Sequence, residues 1–446
     1  MVTVGRVSQR RTYRPPRALS VLREHLRETF WFAPTVSLVL VCVVWGLADA
    51  LDTWIVDTLR NEGDYRNLRE LMAVAEDART IVTTIASAMM TFIGVVFSIS
   101  LVAVQMAAGN FSPRVVRIFI RSRISKLTFS VFLSTFLLSL LVLTAYESER
   151  NPREVTSVPL VQSILTLLMV ALSLLLFIAY VTQTLQLMKV GPVVDRVTRE
   201  AFGALARMPR SAAPGEPLGE ETVRISHQGR SGALRDVEVV RLVRVARRHD
   251  VVVRLIPRVG DFVVPGTPVL TVHGGAGQPL PFAARRALQS AVSVGVERTF
   301  RRDLTFGLRQ LTDIGLRALS SSVNDPTTAV QCLDRIVQYL AVVAQRPLGT
   351  VYHQDGKGRV RLVQHVSEWE DLVDLGFAEL RGCAVGNPQV TRRMMAGFED
   401  LLQLVPPERR APLERHRDML VRAVRQSVRE PAEGDFALEP DRQGIG

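Results

Sequence analysis

The chain has 446 residues, room for two or three domains, of which 47% are hydrophobic, with a mean hydropathy of +0.17. Its net charge of +12 is nearly all arginine, since Lys126, Lys189 and Lys357 are the only lysines. A GC-rich genome suffices to write such an excess, and no aromatics interleave it as single-strand binding requires, so nucleic acid is not expected as a partner. Cys42, Cys332 and Cys383 show neither a disulfide framework nor metal-ligand spacing and read as buried, reduced thiols.

Residues 1–30 form a basic arm with Arg6, Arg10, Arg11, Arg14, Arg17, Arg23 and Arg27. Four apolar stretches follow, each near the ~20 residues that cross a bilayer core: Phe32 to Leu51, Ile81 to Gln105, Leu127 to Tyr146 and Pro159 to Thr182. The sequence reading takes them as free of interior charge, where a soluble helix of that length carries a charged face. The first begins too late and runs too long for a cleaved signal segment. Loop charges alternate. The loop after the second stretch holds Arg114, Arg117, Arg121, Arg123 and Lys126 without an acid, whereas the other two loops are acidic, so both termini are expected in the cytoplasm. Between residues 52 and 80, Leu68, Leu71, Met72 and Ala75 at helical spacing predict one external amphipathic helix.

The second stretch carries the functional signal. Thr84, Thr91, Ser98 and Gln105 recur every seven residues, with Ser87 and Gly94 between them, so one narrow stripe of small and polar groups runs down the helix. Lipid disfavours such a stripe. Two readings stand: close helix packing through small residues, or the lining of a pore repeated around an oligomer axis. Ser112 before Pro113 reads as a helix start, followed by a basic amphipathic segment that lies either in the membrane interface or on the cytoplasmic domain.

The fourth stretch is expected to continue through Val190 to Leu205 with a kink at Gly191-Pro192. A Pro/Gly/Ser-rich linker follows at 207–220. A strand at 222–234, a short helix capped by Asp236 and a strand over Val251 to Ile256 come next. The segment Val259 to Leu270 resembles the hairpin of biotinyl- and lipoyl-type domains; it lacks a lysine at the tip and carries no prosthetic group. A helix over Arg298 to Ser320 presents Leu304, Leu308, Leu311, Ile314, Gly315 and Leu319 on one face. It ends at Ser320-Ser321-Ser322-Val323-Asn324-Asp325, where Asp325 caps the next helix and Pro326 opens it. Asn324, Asp325, Thr327 and Thr328 are candidates for an anion or ligand site at that helix N-terminus, against plain capping. No metal-ligand spacing, P-loop or nucleophile elbow is present. The acidic group Glu368, Glu370, Asp371 and Asp374 reads as a solvated helix start. No enzyme activity and no cofactor is expected.

The run Gly94 to Gln105, then Phe111-Ser112-Pro113-Arg114-Val115, resembles an uncharacterised bacterial family of predicted membrane proteins, domain of unknown function twenty-two fifty-four. Gly260-Asp261-Phe262-Val263, Glu297-Arg298-Thr299-Phe300 and Asn324 to Ala329 resemble it as well, although Ser320-Ser321-Ser322 stands where the family pattern has a proline. The resemblance implies an inner-membrane location and no particular activity.

The sequence thus reads as an α-helical polytopic membrane protein, with about four transmembrane helices and an α+β cytoplasmic C-terminal domain. Its parts are the arm 1–30, a membrane region 31–206 with a trailing helix, a small α+β domain 221–275, a helical domain 280–428 and a disordered tail 429–446. The expected function is a homo-oligomeric channel or conduit, or else a non-conducting scaffold or sensor that binds a cytoplasmic protein. Membrane lipids and further copies of the chain are the expected partners.

Overall fold

Four apolar runs become four long helices in the computed structural model, which describes residues 32–63, 65–110, 123–146, 158–187, 189–209, 217–274 and 280–443. They are α1 (Phe32–Asn61), α2 (Tyr65–Asn110), α3 (Arg123–Thr144) and α4 (Leu160–Leu187), and all four are long and apolar enough to cross a membrane. A helix is the form in which a single segment satisfies its own backbone in hydrocarbon. The basic arm, the Ser112-Pro113 helix start with its amphipathic segment, and the acidic loop at 147–157 lie outside the described residues.

The predicted external helix is not a separate element. It is the first part of α2, which runs unbroken for 46 residues. Leu71, Met72 and Ala75 do form its buried face, packing against Val56 of α1 and Val158 ahead of α4. The charges Glu70, Glu76, Asp77 and Arg79 lie within this helix, and nothing among them breaks it. The first stretch is also longer than its apolar run, and Asp49 and Asp52 lie inside α1, correcting the reading of charge-free spans.

The close-packed centre of this first unit is α3, which touches both α1 and α4 and has 44% of its apolar window buried, against 11–17% for the other three. Small hydroxyl residues let it approach them: Thr128, Ser130, Ser134, Thr135 and Ser139 are all buried. Most donate back to a carbonyl one turn earlier, as Thr135 Oγ1 does to Val131 O at 2.8 Å. Helix α2 joins the bundle by a heptad line of Ala75, Val82, Met89, Val96 and Ala103, every one buried. Phe92 meets Phe132 and Phe177 edge-on beside it, at 6.3 and 5.7 Å between ring centroids, and those two are tilted against each other at 6.4 Å.

Apart from residues 107–115, the second unit runs from Lys189, whose extended backbone (φ −80, ψ 138) breaks the helix that was expected to continue with a kink. The trailing helix α5 (Val190–Leu205) therefore belongs to this unit and not to the spans. It packs on α8 (Leu304–Ala318) and α9 (Pro326–Val343), so closely that a Cβ on Gly307 would stand 2.4 Å from that of Ala201. Phe202 meets Tyr339 edge-on at 5.6 Å.

Two sheets follow α5. The long strand expected at 222–234 is two strands in different sheets, β1 (Glu221–Ser226) and β2 (Gly232–Val237). With β3 (Val251–Leu255), β4 (Phe262–Val263), β5 (Pro268–Gly274), β6 (Val292–Gly295), β7 (Thr350–Gln354) and β8 (Val360–His365) they form one sheet of order β1-β5-β3-β8-β7 and one of order β4-β2-β6. Only β3 and β8 run parallel. The anticipated hairpin is also divided, because β4 pairs with β2 while β5 pairs with β1 and β3. Helices α6 (Val239–Arg248) and α7 (Phe282–Gln289) close the core formed by Leu234, Leu242, Ala246, Val253, Leu270 and Leu288. Asp236 does not cap α6, whose N-cap is Glu238; its carboxylate lies 3.2 Å from Arg301 and 3.6 Å from Arg302.

The remaining helices are α8, α9, α10 (Trp369–Ala384), α11 (Pro388–Leu404), α12 (Ala411–Ser427) and α13 (Pro431–Leu438). Leu304, Leu308, Leu311, Ile314 and Gly315 are buried along α8 as expected. The helix starts later than its periodicity suggests, since buried Asp303 caps it by accepting from Thr305 N and Phe306 N. As far as residue 443 the tail is folded, not disordered. Phe436 of α13 lies under the Arg392 guanidinium at 4.2 Å, and Thr391 Oγ1 donates to Ala437 O at 2.7 Å. Of the three thiols only Cys332 is buried, where burial pushes its pKa up; Cys42 and Cys383 are exposed.

Candidate functional site

Every residue of the stripe on α2 is exposed: Thr84, Ser87, Thr91, Gly94, Ser98 and Gln105. The geometry follows from register. The stripe's heptad positions fall two residues after the buried ones, which is about 200° round a helix of 3.6 residues per turn. The stripe therefore lies opposite the line by which α2 holds its own bundle. A Cβ on Gly94 would meet nothing within 4 Å. Packing among helices of the same chain is done by the hydroxyls of α3, not by this stripe.

The stripe's electrostatics are those of acceptors. Thr84 Oγ1 donates to Thr80 O at 2.9 Å and Ser87 Oγ to Thr83 O at 3.2 Å, so their protons turn inward and their lone pairs outward. The Thr91 and Ser98 hydroxyls have no partner among the described residues. Large exposed side chains rim the stripe, with Met90, Phe97 and Leu101 on one side and Val95 and Val102 on the other.

A second polar group lies at the far end of α1, and the sequence reading missed it. Asp52 is 1% exposed and accepts from Val161 N at 2.8 Å and Gln162 N at 3.2 Å, capping α4 from another helix. Gln162 Nε2 donates to Asp49 Oδ1 at 3.0 Å, while Gln162 Oε1 is buried without a partner. Tyr146 and Ser163 share a hydrogen bond at 2.8 Å beside them. Asp52 looks like a loop acid because Leu51 ends the first apolar run. The signal for a buried carboxylate was the return of apolar residues after it, in Trp54, Ile55 and Val56.

The polar turn before α9 closes on itself. Asp325 accepts from Thr328 N at 3.0 Å and from Thr328 Oγ1 at 2.5 Å, and Asn324 takes a left-handed φ of +47 that its short side chain tolerates. Thr328 is buried; Asn324 and Thr327 are exposed, and Gln389 Nε2 reaches Thr327 Oγ1 at 3.5 Å. Two other fragments that carry the family resemblance converge elsewhere. The Gly260 turn, at φ +105, abuts the pair in which Arg298 Nε donates to Asp303 Oδ2 at 2.7 Å, and a Cβ on Gly260 would stand 2.5 Å from that carboxylate. The acidic start of α10 is tied down: Arg258 holds Asp371 at 2.6 Å, Arg415 holds Glu370 and Asp374, and His416 Nε2 lies 2.7 Å from Asp374 Oδ1.

Comparison with known proteins adds a family and no activity. The chain is 26% identical over 438 residues to the uncharacterized protein Rv1290c of Mycobacterium tuberculosis, covering 94% of this chain and 79% of that one. The uncharacterized protein Mb1321c of Mycobacterium bovis matches to the same extent. No solved structure matches. Residues 27–400 match the family described as predicted membrane protein (DUF2254), and with that span the chain belongs to this family.

Proposed function

We propose that the protein is a homo-oligomeric channel or channel-like conduit of the bacterial inner membrane, with α2 lining or framing the path between copies. Its termini and second unit stand on the cytoplasmic side, where that unit assembles or gates the path; the alternation of basic and acidic loops supports this orientation. The observation that carries the reading is the exposed stripe opposite the packing face of α2. Hydroxyl and amide groups at membrane depth turn toward protein or water rather than lipid. The chain's own helices lie on the other side, which leaves another copy or a hydrated axis. Outward lone pairs at Thr84 and Ser87 suit a weakly selective path. The apolar rims favour a second reading, a dry seam between copies in a non-conducting scaffold or sensor that binds a cytoplasmic partner.

Cysteine accessibility separates the two readings. With Cys42 and Cys383 replaced by Ser, Thr84, Thr91 and Ser98 are changed singly to Cys. The lipid-facing positions Leu47 and Leu175 serve as controls. A membrane-impermeant thiol reagent should label the stripe and spare the controls, and the labelled variants should lose conductance in planar bilayers. A stripe that resists the reagent at all three positions sinks the open-conduit reading and leaves the dry seam.

A further inference from the structure

Helices α6 and α7 touch each other and bury their apolar stripes in one core, through Leu242, Ala246 and Leu288. Their outward faces therefore adjoin. Neither helix contains an acid: the sequences are VVRLVRVARR and FAARRALQ. Arg244, Arg247, Arg248, Arg285 and Arg286 are all exposed, and none has an ion pair or side-chain hydrogen bond among the described residues. Several other arginines of the same unit find carboxylates, as Arg298 does with Asp303, Arg309 with Glu379, Arg335 with Asp195, Arg361 with Asp355 and Arg393 with Asp334, whereas scattered ones such as Arg254 and Arg422 have none among the described residues. What sets this face apart is the grouping of five exposed, unpaired arginines on two adjoining helices; the acid at its border, Glu238 at the N-cap of α6, is taken by Arg241 at 3.8 Å. The helix dipole accounts for Arg247 and Arg248 in the last turn of α6, but not for Arg244, nor for Arg285 beside the N-terminal turn of α7.

Apolar groups stand among these charges. Phe282 is 79% exposed at the start of α7, and Val240 is 52% exposed on the outer side of α6. A large aromatic left in water beside unpaired arginines is the pattern of a surface that enters a bilayer interface, where rings sit at the headgroup level and guanidinium groups meet phosphates. Nucleic acid would ask for several stacking rings or a groove, and this face offers one ring on convex helices. The chain also carries its own bilayer segment, so the local concentration of lipid surface is high for any part tethered to it.

We infer that the α6–α7 face is a docking surface for anionic phospholipid headgroups, with the five arginines on the phosphates and Phe282 inserted at the interface. The interaction is electrostatic in its selectivity and is weakened by salt.

The test uses the full chain reconstituted into bilayers of phosphatidylcholine alone or mixed with phosphatidylglycerol. Cys42 and Cys383 are replaced by Ser, and an environment-sensitive fluorophore is placed on A283C, an exposed position beside Phe282. Emission should shift to the blue only in the anionic bilayers, and high salt should reverse the shift. Changing all five arginines to Gln should abolish it, and F282S should reduce it with salt sensitivity intact. These residues are exposed, so an unchanged circular dichroism spectrum certifies the fold of both variants. Equal emission in the two bilayers overturns the inference. So does a blue shift that survives the five-Gln change, or one that appears in neutral bilayers only when a duplex oligonucleotide is added, which would assign the face to nucleic acid.

Discussion

His416 is 2% exposed, its Nε2 faces Asp374, and its Nδ1 is buried without a partner. Burial first, with Arg381 and Arg415 nearby, holds its pKa below the ordinary imidazole value despite the Asp374 contact. His353, behind Gln364, is lowered by burial in the same way. A base with a depressed folded pKa costs nothing at neutral pH, where both states are neutral. As pH falls through the ordinary imidazole value of ~6.5, the unfolded chain takes a proton the native state refuses, and stability drops. Thermal melts should therefore show Tm falling from about pH 6.5 downward, and H416Q should make that slope shallower without removing it, because His353 remains; an unchanged slope refutes the assignment. At lower pH Asp355 adds its own loss, because the Arg361 hydrogen bond holds its carboxyl down to about 2 and the benefit fades as that proton binds. At this scale the sequence was partly legible. The cap at Asp325 could be read because cap and capped residues are neighbours in the chain. The partners of Asp52, Asp303 and Asp374 could not all be read that way, because Val161 and His416 lie far from the carboxylates they meet.

Among the elements, α13 shows most clearly what pattern reading omits. Its eight residues, PAEGDFAL, carry no periodic apolar stripe, and a proline, a glycine and two acids among them read as a free tail. It folds because a partner forty residues earlier is waiting: Arg392 for Phe436, Thr391 for Ala437, and Asp400, which takes Arg442 at 2.8 Å. Replacing Phe436 by Ala should cost about 1 kcal/mol, the worth of a partly exposed cation–π contact. Hydrogen exchange should report it as lost protection over residues 431–438 while α11 keeps its own; equal protection in both proteins would show that the ring is idle. The opposite error arises in α2, where a charged segment looks separate from the span. Polarity there does not end the helix.

For the whole molecule, the apolar runs alone disclosed the four spans, since an unbroken stretch of ~20 apolar residues has little use except to cross a bilayer. The division of the rest was less visible, because α5 follows α4 with one extended residue between them and only its packing on α8 and α9 assigns it. The α2 stripe could be seen in the sequence, but which way it faced could not, since that depends on which heptad line the bundle takes. If copies meet along the stripe, S98C in a background lacking Cys42 and Cys383 should form an intermolecular disulfide under mild oxidation in native membranes. V82C, on the buried line, should not. Monomer from both variants would remove copy-to-copy contact along α2 from either proposed function.

A helix of 46 residues at 1.5 Å each is about 69 Å long, more than twice the ~30 Å of hydrocarbon it has to cross. It contains no proline, and its sole glycine before the last turn is Gly94. Mechanically it is a shaft without a joint. A twist or a push applied near Tyr65 is carried along the helix by bending of the whole shaft, with no proline hinge at which it would be absorbed.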